Sequence, residues 1–519
     1  MNALELSRAL GGVDEKLVED AAPEGRVYDK ERITRPVRIW RIAAPVALLV
    51  AIAITLHFVL PRRAGEQPVP GPVNKAYALE IAEYPEMPNI GRLYAELEAL
   101  DREYREGKIP EAEFEKRVEA LQAEFDQIAE ANEAYQMRVS SMRGAGKGLE
   151  GFFADSAADA LMGSDGENRV YSPLNTYLAL AMLAEVTGGE SRAQILNLLD
   201  EDSIDALRTR ANHIWNANYR DDGSSICLPA SSIWLNEDIP LNGDTLKTLA
   251  RHYYSSSFQG KMGSRGYLDC LRGWISETCG GLLDEQSAGM QMDPEDAIIL
   301  LCALRYQARW ADEFDPEKNE PGVFHSPHGD VPAEYMVRQL QGLYYYAEHF
   351  AAISVPMLDR GAMWFLLPDE GVDMDALLSD REYRQFIRLI QERRLSEEWK
   401  KQKFVRINLR LPKFDVSSDT DLRSILQALG VTDCFDPERA DLTPLLAKGG
   451  LWIDRVDCSA RLIVDEQGVR AASLAAFHGA GAAPPPDDEV DFFLDRPFTF
   501  LLVSADDVPL YTGVVNQPQ

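Results

Sequence analysis

The spacing of apolar positions changes several times along this chain, and each spacing predicts a different element. One set falls at Leu93, Leu97, Leu100 and Tyr104, and a second at Phe114, Val118, Leu121, Phe125, Ile128 and Tyr135. Steps of three and four put each set on one face of a helix. Gly107 to Pro110 separates them, with the proline suited to a first helical turn. A helical hairpin is therefore expected, with a solvated charged helix as the alternative. Further on, the runs 297–310, 351–367, 404–414, 451–464 and 498–503 read as strands. Helical patterns lie among them without regular alternation. That argues for a mixed α+β domain rather than a doubly wound sheet.

Upstream of the hairpin lies a different pattern, the uncharged run from Ile42 to Leu60. It is just long enough to cross a bilayer. Arg32, Arg35, Arg38 and Arg41 precede it and only Arg62 and Arg63 follow, so the positive-inside rule places the C-terminal bulk outside the cytoplasm. A cleaved signal peptide fits less well, because the leader is long and no A-x-A site follows. A buried core helix is the other reading, and Pro45 and His57 are the weak points of a span. The expected organisation is a cytoplasmic tail at 1–37 and a transmembrane helix at 38–63 in the cell membrane. A linker and helical stalk follow at 64–148, then an extracytoplasmic domain at 149–519. Pro68, Pro70 and Pro72 make the start of the linker an extended spacer, and the stalk could self-associate.

The most informative pattern runs from Val464 to Pro486. An alternating strand ends at Val464, and a long row of small residues follows. By composition that row is a flexible linker, yet no proline interrupts Val469 to Ala483 and nothing there is too bulky to pair as a strand. If Arg470 faces water, then Val469, Ala471, Ser473, Ala475, Phe477 and Gly479 face the other way. That inward row is uncharged and mostly small, as a strand entering a packed centre requires.

Composition narrows the chemistry. A formal net charge of -31 over 519 residues argues against nucleic acid or anionic lipid headgroups as partners for the bulk of the chain. Six cysteines are too few for a disulfide scaffold, and none is spaced C-x-x-C, so no metal site is expected. The stretch Gly144-Ala-Gly-Lys-Gly148 lacks the first glycine and the Ser/Thr of a phosphate loop and reads as a hinge. There is no G-x-S-x-G, S-x-x-K or H-E-x-x-H. The histidines are scattered singly or, like His325 and His328, sit in a turn. An enzyme has no residue to rest on, and no cofactor is implied.

Five separate stretches resemble the serpins, protease inhibitors that trap their target by inserting a cleaved loop. They are Asn168-Arg-Val-Tyr-Ser-Pro-Leu174 with Ala179-Leu-Ala-Met-Leu183; Leu300 through Trp310 with Phe314; Leu411-Pro-Lys-Phe414 with Asp421-Leu and Leu429-Gly-Val-Thr-Asp433; Val464-Asp-Glu-Gln-Gly468 with Ala471-Ala472; and Arg496-Pro-Phe498 with Gly513-Val-Val-Asn516. They follow the family's order and cover about residues 149–519. The resemblance implies three β-sheets, eight or nine helices and an exposed bait loop at 464–486. It also implies a mechanism. A serine protease attacks the bait, and the loop's N-terminal half inserts as a new strand before the acyl-enzyme is hydrolysed. About ten new ladder hydrogen bonds at ~1 kcal/mol each, with several inward side chains at ~1 kcal/mol or more, would release on the order of 10–15 kcal/mol. The uncut form would then be kinetically trapped.

Counting from Glu466 along the family's hinge places the scissile bond at Ala482–Ala483, which suits an elastase-like or subtilisin-like enzyme. A cut elsewhere between Gly479 and Ala483, or at Phe477 by a chymotrypsin-like enzyme, is the alternative. The hinge comprises Glu466, Gly468, Val469, Arg470, Ala471, Ala472 and Ser473, with Val469 and Arg470 departing from the usual Thr and Glu. The region where the central sheet must part maps to Ser172, Pro173, Asn175, Cys302, Trp310 and Cys458. Cys302 and Cys458 replace the family's hydrogen-bonded Asn and His. Two readings follow, a pair of buried free thiols or a disulfide that clamps the sheet until reduced. A non-inhibitory serpin acting as a binding or scaffold protein is the alternative function.

Overall fold

A computed structural model describes residues 75–446, 450–469 and 488–518. Eight strands pair into one sheet. They are β1 (Ala78–Glu80), β3 (Arg220–Asp221), β4 (Ile226–Asn236), β5 (Ser255–Gly260), β6 (Ile298–Arg309), β12 (Phe414–Asp421), β13 (Arg455–Val464) and β14 (Gly468–Val469). Their order is β1-β5-β4-β6-β14-β13-β12, with β3 on β4. Nine more form a second network. They are β2 (Arg169–Tyr171), β7 (Glu320–Ser326), β8 (Gly329–Tyr346), β9 (Phe350–Pro356), β10 (Ala362–Pro368), β11 (Gln402–Pro412), β15 (Glu489–Phe493), β16 (Phe498–Val503) and β17 (Pro509–Val515). The 18-residue β8 pairs with β7, β9 and β11, so pairing runs unbroken through this half of the molecule.

The run 351–367, read as one strand, is a hairpin. Pairing of β9 with β10 begins at Pro356 and Ala362, and Arg360 turns the chain at φ 74°. Both arms are apolar, so hydropathy alone did not mark the turn.

The first sheet is covered on both faces, which is why β6 is an almost unbroken apolar run. Ile298, Leu300, Cys302, Leu304 and Tyr306 face the main core, while Ile299, Leu301 and Ala303 face a second cluster. On the main-core side lies α3 (Pro173–Val186), whose residues are all buried. On the other side Tyr267, Leu271, Trp274 and Ile275 of α5 (Arg265–Cys279) pack over Trp234 and Phe258.

The expected helical hairpin is present as α1 (Ile90–Arg105) and α2 (Glu111–Ser140), closed by Leu97, Leu100, Phe114 and Val118. It is also bound to the domain. β1 extends the first sheet beyond β5, and Ala82 N–H donates to Ser256 Oγ at 3.1 Å. The Tyr84 ring stacks on Trp215 of α4 (Ile204–Asn218), centroids 5.8 Å apart. Gly91 N–H donates to Asp222 O at 3.0 Å, and a Cβ on Gly91 would lie 2.1 Å from the Gly223 carbonyl carbon. Gly144 to Gly148, read as a hinge, is held by Gly144 N–H to the Asp506 carboxylate and by Arg210 to Ala145 O.

The chain enters at a defined end of the first sheet. Tyr77 lies against Gly260 and Tyr267, and Gly260 is in register with Asn236, whose neighbour Leu235 pairs with Ile298. Gly468 pairs with Arg309, at the opposite end of β6. Among the described residues no helix is long and apolar enough to cross a membrane. The expected span, the tail before it and the proline-rich spacer lie outside those residues.

Candidate functional site

The hinge forms where β13 turns back on itself. Val464 pairs with Val469 across a tight turn in which Asp465 N–H donates to Gly468 O and Gly468 N–H to Asp465 O. The Asp465 carboxylate also accepts from Gln467 N–H at 3.0 Å. The returning pair, β14, wedges between β13 and β6, antiparallel to both. Gly468 has φ 143°, and a Cβ there would lie 2.4 Å from Ala308 O, so only glycine fits. Val469 is buried, as the parity argument requires of the first inward residue. Arg470, Ala471, Ala472 and Ser473, and the bond Ala482–Ala483, lie outside the described residues.

Trp310 clasps this turn. Its backbone N–H donates to Gln467 O at 3.0 Å and its indole N–H to Asp465 O at 2.9 Å. Phe314 N–H donates to Glu466 O at 3.0 Å. The Glu466 carboxylate, nearly buried, accepts from Asn319 and from Lys413 Nζ at 3.2 Å. Lys413, the lysine of the Leu411–Phe414 motif, also pairs with Glu334. Beside the wedge, buried Arg309 contacts Glu313. Burial pushes the Glu313 carboxyl up to about 7 against the pull of Arg309. Sequence reasoning missed the roles of Lys413 and Asn319, because their partner Glu466 lies far away in the chain, and that of Glu313, because its burial comes from packing.

Further along the same strands the sheet is shut. β6 and β13 pair directly and in parallel from Ile299–Arg455 to Cys302–Cys458. Between Cys302 and Ala308 no ladder pair joins them among the described residues. The sheet is thus parted at the hinge end and closed from the cysteine rung onward. Cys302 and Cys458 are register partners on the main-core face, both buried and both free thiols. Burial pushes the Cys302 thiol up to about 12 despite Ser231 Oγ at 3.7 Å. The Cys458 thiol is pushed up too, by burial and then by Cys302.

Ser172 and Pro173 start α3 beneath this rung. Ser172 Oγ donates to Leu510 O at 2.7 Å and accepts from Asn175 N–H at 3.3 Å. Asn175 lies beside Cys458, and its buried side chain works against the burial that raises that thiol. The sequence-derived site thus falls into two places on one pair of strands, Glu466–Val469 with Trp310 at the open end and Cys302–Cys458 over Ser172 and Asn175 where it closes. Among the described residues no group of three or more His, Cys, Asp or Glu could hold a metal ion.

Residues 150–518 match the family model described as Serpin (serine protease inhibitor). The chain belongs to the serpin family. It is 24% identical over 369 residues to Serpin-ZX of Arabidopsis thaliana, covering 68% of this chain and 91% of that one. With the leukocyte elastase inhibitor of Sus scrofa it shares 27% identity over 347 residues, covering 64% and 89%. Among solved structures, the thermophilic serpin tengpin in its native state superposes with a TM-score of 0.61 at 24% identity, covering 71% of this chain and 93% of tengpin. Arabidopsis AtSerpin1 in its native stressed conformation gives 0.59 at 22%, covering 73% and 98%. At such identities these likenesses speak for the serpin fold. The family match begins at residue 150, so β1 and the hairpin stand outside it.

Proposed function

We propose that this serpin is an inhibitory one, a suicide substrate cut in the loop 464–486 that traps its serine protease by inserting the loop into the first sheet. One observation carries the reading, the half-open sheet, with Gly468–Val469 between β6 and β13 and the same strands paired from Cys302–Cys458 onward. An inserting strand has its first rung in place and a defined track. Continuing the antiparallel register from Val469 opposite Ala308 brings Ala475 level with Cys302. A methyl group suits a slot between two thiols.

The cut is proposed at Ala482–Ala483, with an elastase-like or subtilisin-like enzyme as target. The run 42–60 is proposed to anchor the chain in the cell membrane, N-terminus inside, with the serpin domain outside the cytoplasm. So placed, it would protect a cell surface from proteolysis. The test is incubation with pancreatic elastase, subtilisin and chymotrypsin, followed by denaturing electrophoresis. A covalent adduct is expected with at least one of them. Loop cleavage by all three without an adduct overturns trapping and favours a binding or scaffold role.

A further inference from the structure

A strand entering between β6 and β13 has to drive them apart by one strand spacing, about 4.8 Å. β4, β5 and β1 are paired in series beyond β6 and have to travel with it. β13 stays with β12, and β12 is joined to the second network, since Val170 N–H of β2 donates to Ser418 Oγ at 2.9 Å and β2 pairs with β17. Insertion therefore divides the molecule into a half that moves and a body that stays.

Residues 75–148 are fastened to both. On the moving half β1 is paired with β5, and Ala82 N–H donates to Ser256 Oγ at 3.1 Å. Gly91 N–H adds a bond at 3.0 Å to Asp222 O, in the turn ahead of β4. On the body, Gly144 N–H donates to the Asp506 carboxylate at 3.0 Å, in the turn between β16 and β17. Between those ends run α1 and α2, locked together by their own small core. The last turns of α2 lie in a cleft between the two parts. Tyr135 and Val139 line it together with Cys227 and Tyr306 of the first sheet and with Ser504 and Ala505 of the body.

We infer that the segment 75–148 braces the uncut sheet, tying the half that must move to the body that stays and so slowing strand insertion. This rests on the trapping reading. A brace acts in series and holds only while both ends are fastened. Releasing one end therefore does most of what releasing both can do, which sets a brace apart from two independent local contacts.

The experiment uses the uncut full chain, its Ser256→Ala and Asp506→Ala variants and the double variant. A fluorescent synthetic peptide of residues 470–482 is offered as the inserting strand. Its uptake, followed by native electrophoresis, measures how readily the sheet opens without any protease. Each single variant should take up the peptide at least about threefold faster, on the scale of one net hydrogen bond. The double variant should gain less than the product of the two. Asp506→Asn, which keeps an oxygen for the Gly144 amide, should match the unaltered chain. If Asp506→Ala does not fold, Asp506→Ser takes its place. Equal uptake in all chains, or gains that multiply in the double variant, overturn the brace and leave trapping standing. No uptake by any chain also overturns the brace, and adduct formation with elastase, subtilisin or chymotrypsin then decides trapping by itself.

Discussion

At Gly468, φ 143° and the 2.4 Å approach to Ala308 O leave no room for a side chain. Gly468→Ala should lower the stability of the uncut protein by more than about 1 kcal/mol, read by denaturant unfolding, and withdraw the Val469 amide from protection in hydrogen exchange. Glu313 gives a pH signature of a different sign from most carboxylates. Because burial raises it to about 7, the folded state holds its proton through a range where the unfolded chain has released it. Its contribution to stability is therefore lost as pH rises from the ordinary carboxylate range towards 7. The melting-temperature difference between the unaltered chain and Glu313→Gln should shrink, then reverse or level off, over that window. Cys302 and Cys458 face each other as free thiols, held protonated by burial, and such thiols are poor nucleophiles. Six thiols should titrate after denaturation, and trapping should proceed equally with and without reductant. A loss of two thiols, with trapping restored by reductant, would instead establish a clamp at this rung. The glycine and the cysteine pair were legible because each stands in a recognisable stretch. Glu313 was not, since its shift comes from the packing around it.

Among elements, β13 and the hairpin were legible from one buried face, and β6 and β16, buried on both faces, from continuous apolar runs. Alternation in β13 gives inward Val456, Cys458, Ala460, Leu462 and Val464, as its sequence pattern implies. β1 gave no such signal. It is three residues long, its register on β5 is irregular, and Leu79 and Ile81 remain exposed. The segment is fixed by that short pairing together with hydrogen bonds, ring contacts and a close glycine approach, none of which has a periodicity to read. Tyr84→Ala removes a ring stacked on Trp215 and should cost about 3 kcal/mol. A calorimetric scan should show the loss for the whole domain in one transition if the segment and the domain melt together.

For the whole molecule, the legible part was the family architecture, because five motifs from distant parts of the chain had to occur in order. The half-open state of the sheet was not legible, since it depends on which of two pairings β6 and β13 adopt at each level. If the sheet completes itself after a single cut, the cleaved form should melt far above the uncut one. Superimposed scans would show that no such relaxation occurs. Ala475→Asp would place a carboxylate level with Cys302 and should convert trapping to simple cleavage, because an unpaired charge cannot enter the slot. The route by which the chain arrives adds a last consequence. Lys75–Tyr77 comes in beside Gly260, at the end of the first sheet remote from Gly468. A mooring upstream of Lys75 would thus hold the bait outward and, on insertion, haul a captive enzyme back toward the mooring itself. The eleven residues 64–74 reach no more than about 40 Å when fully extended, so the captive would come to rest close against whatever the chain is tied to.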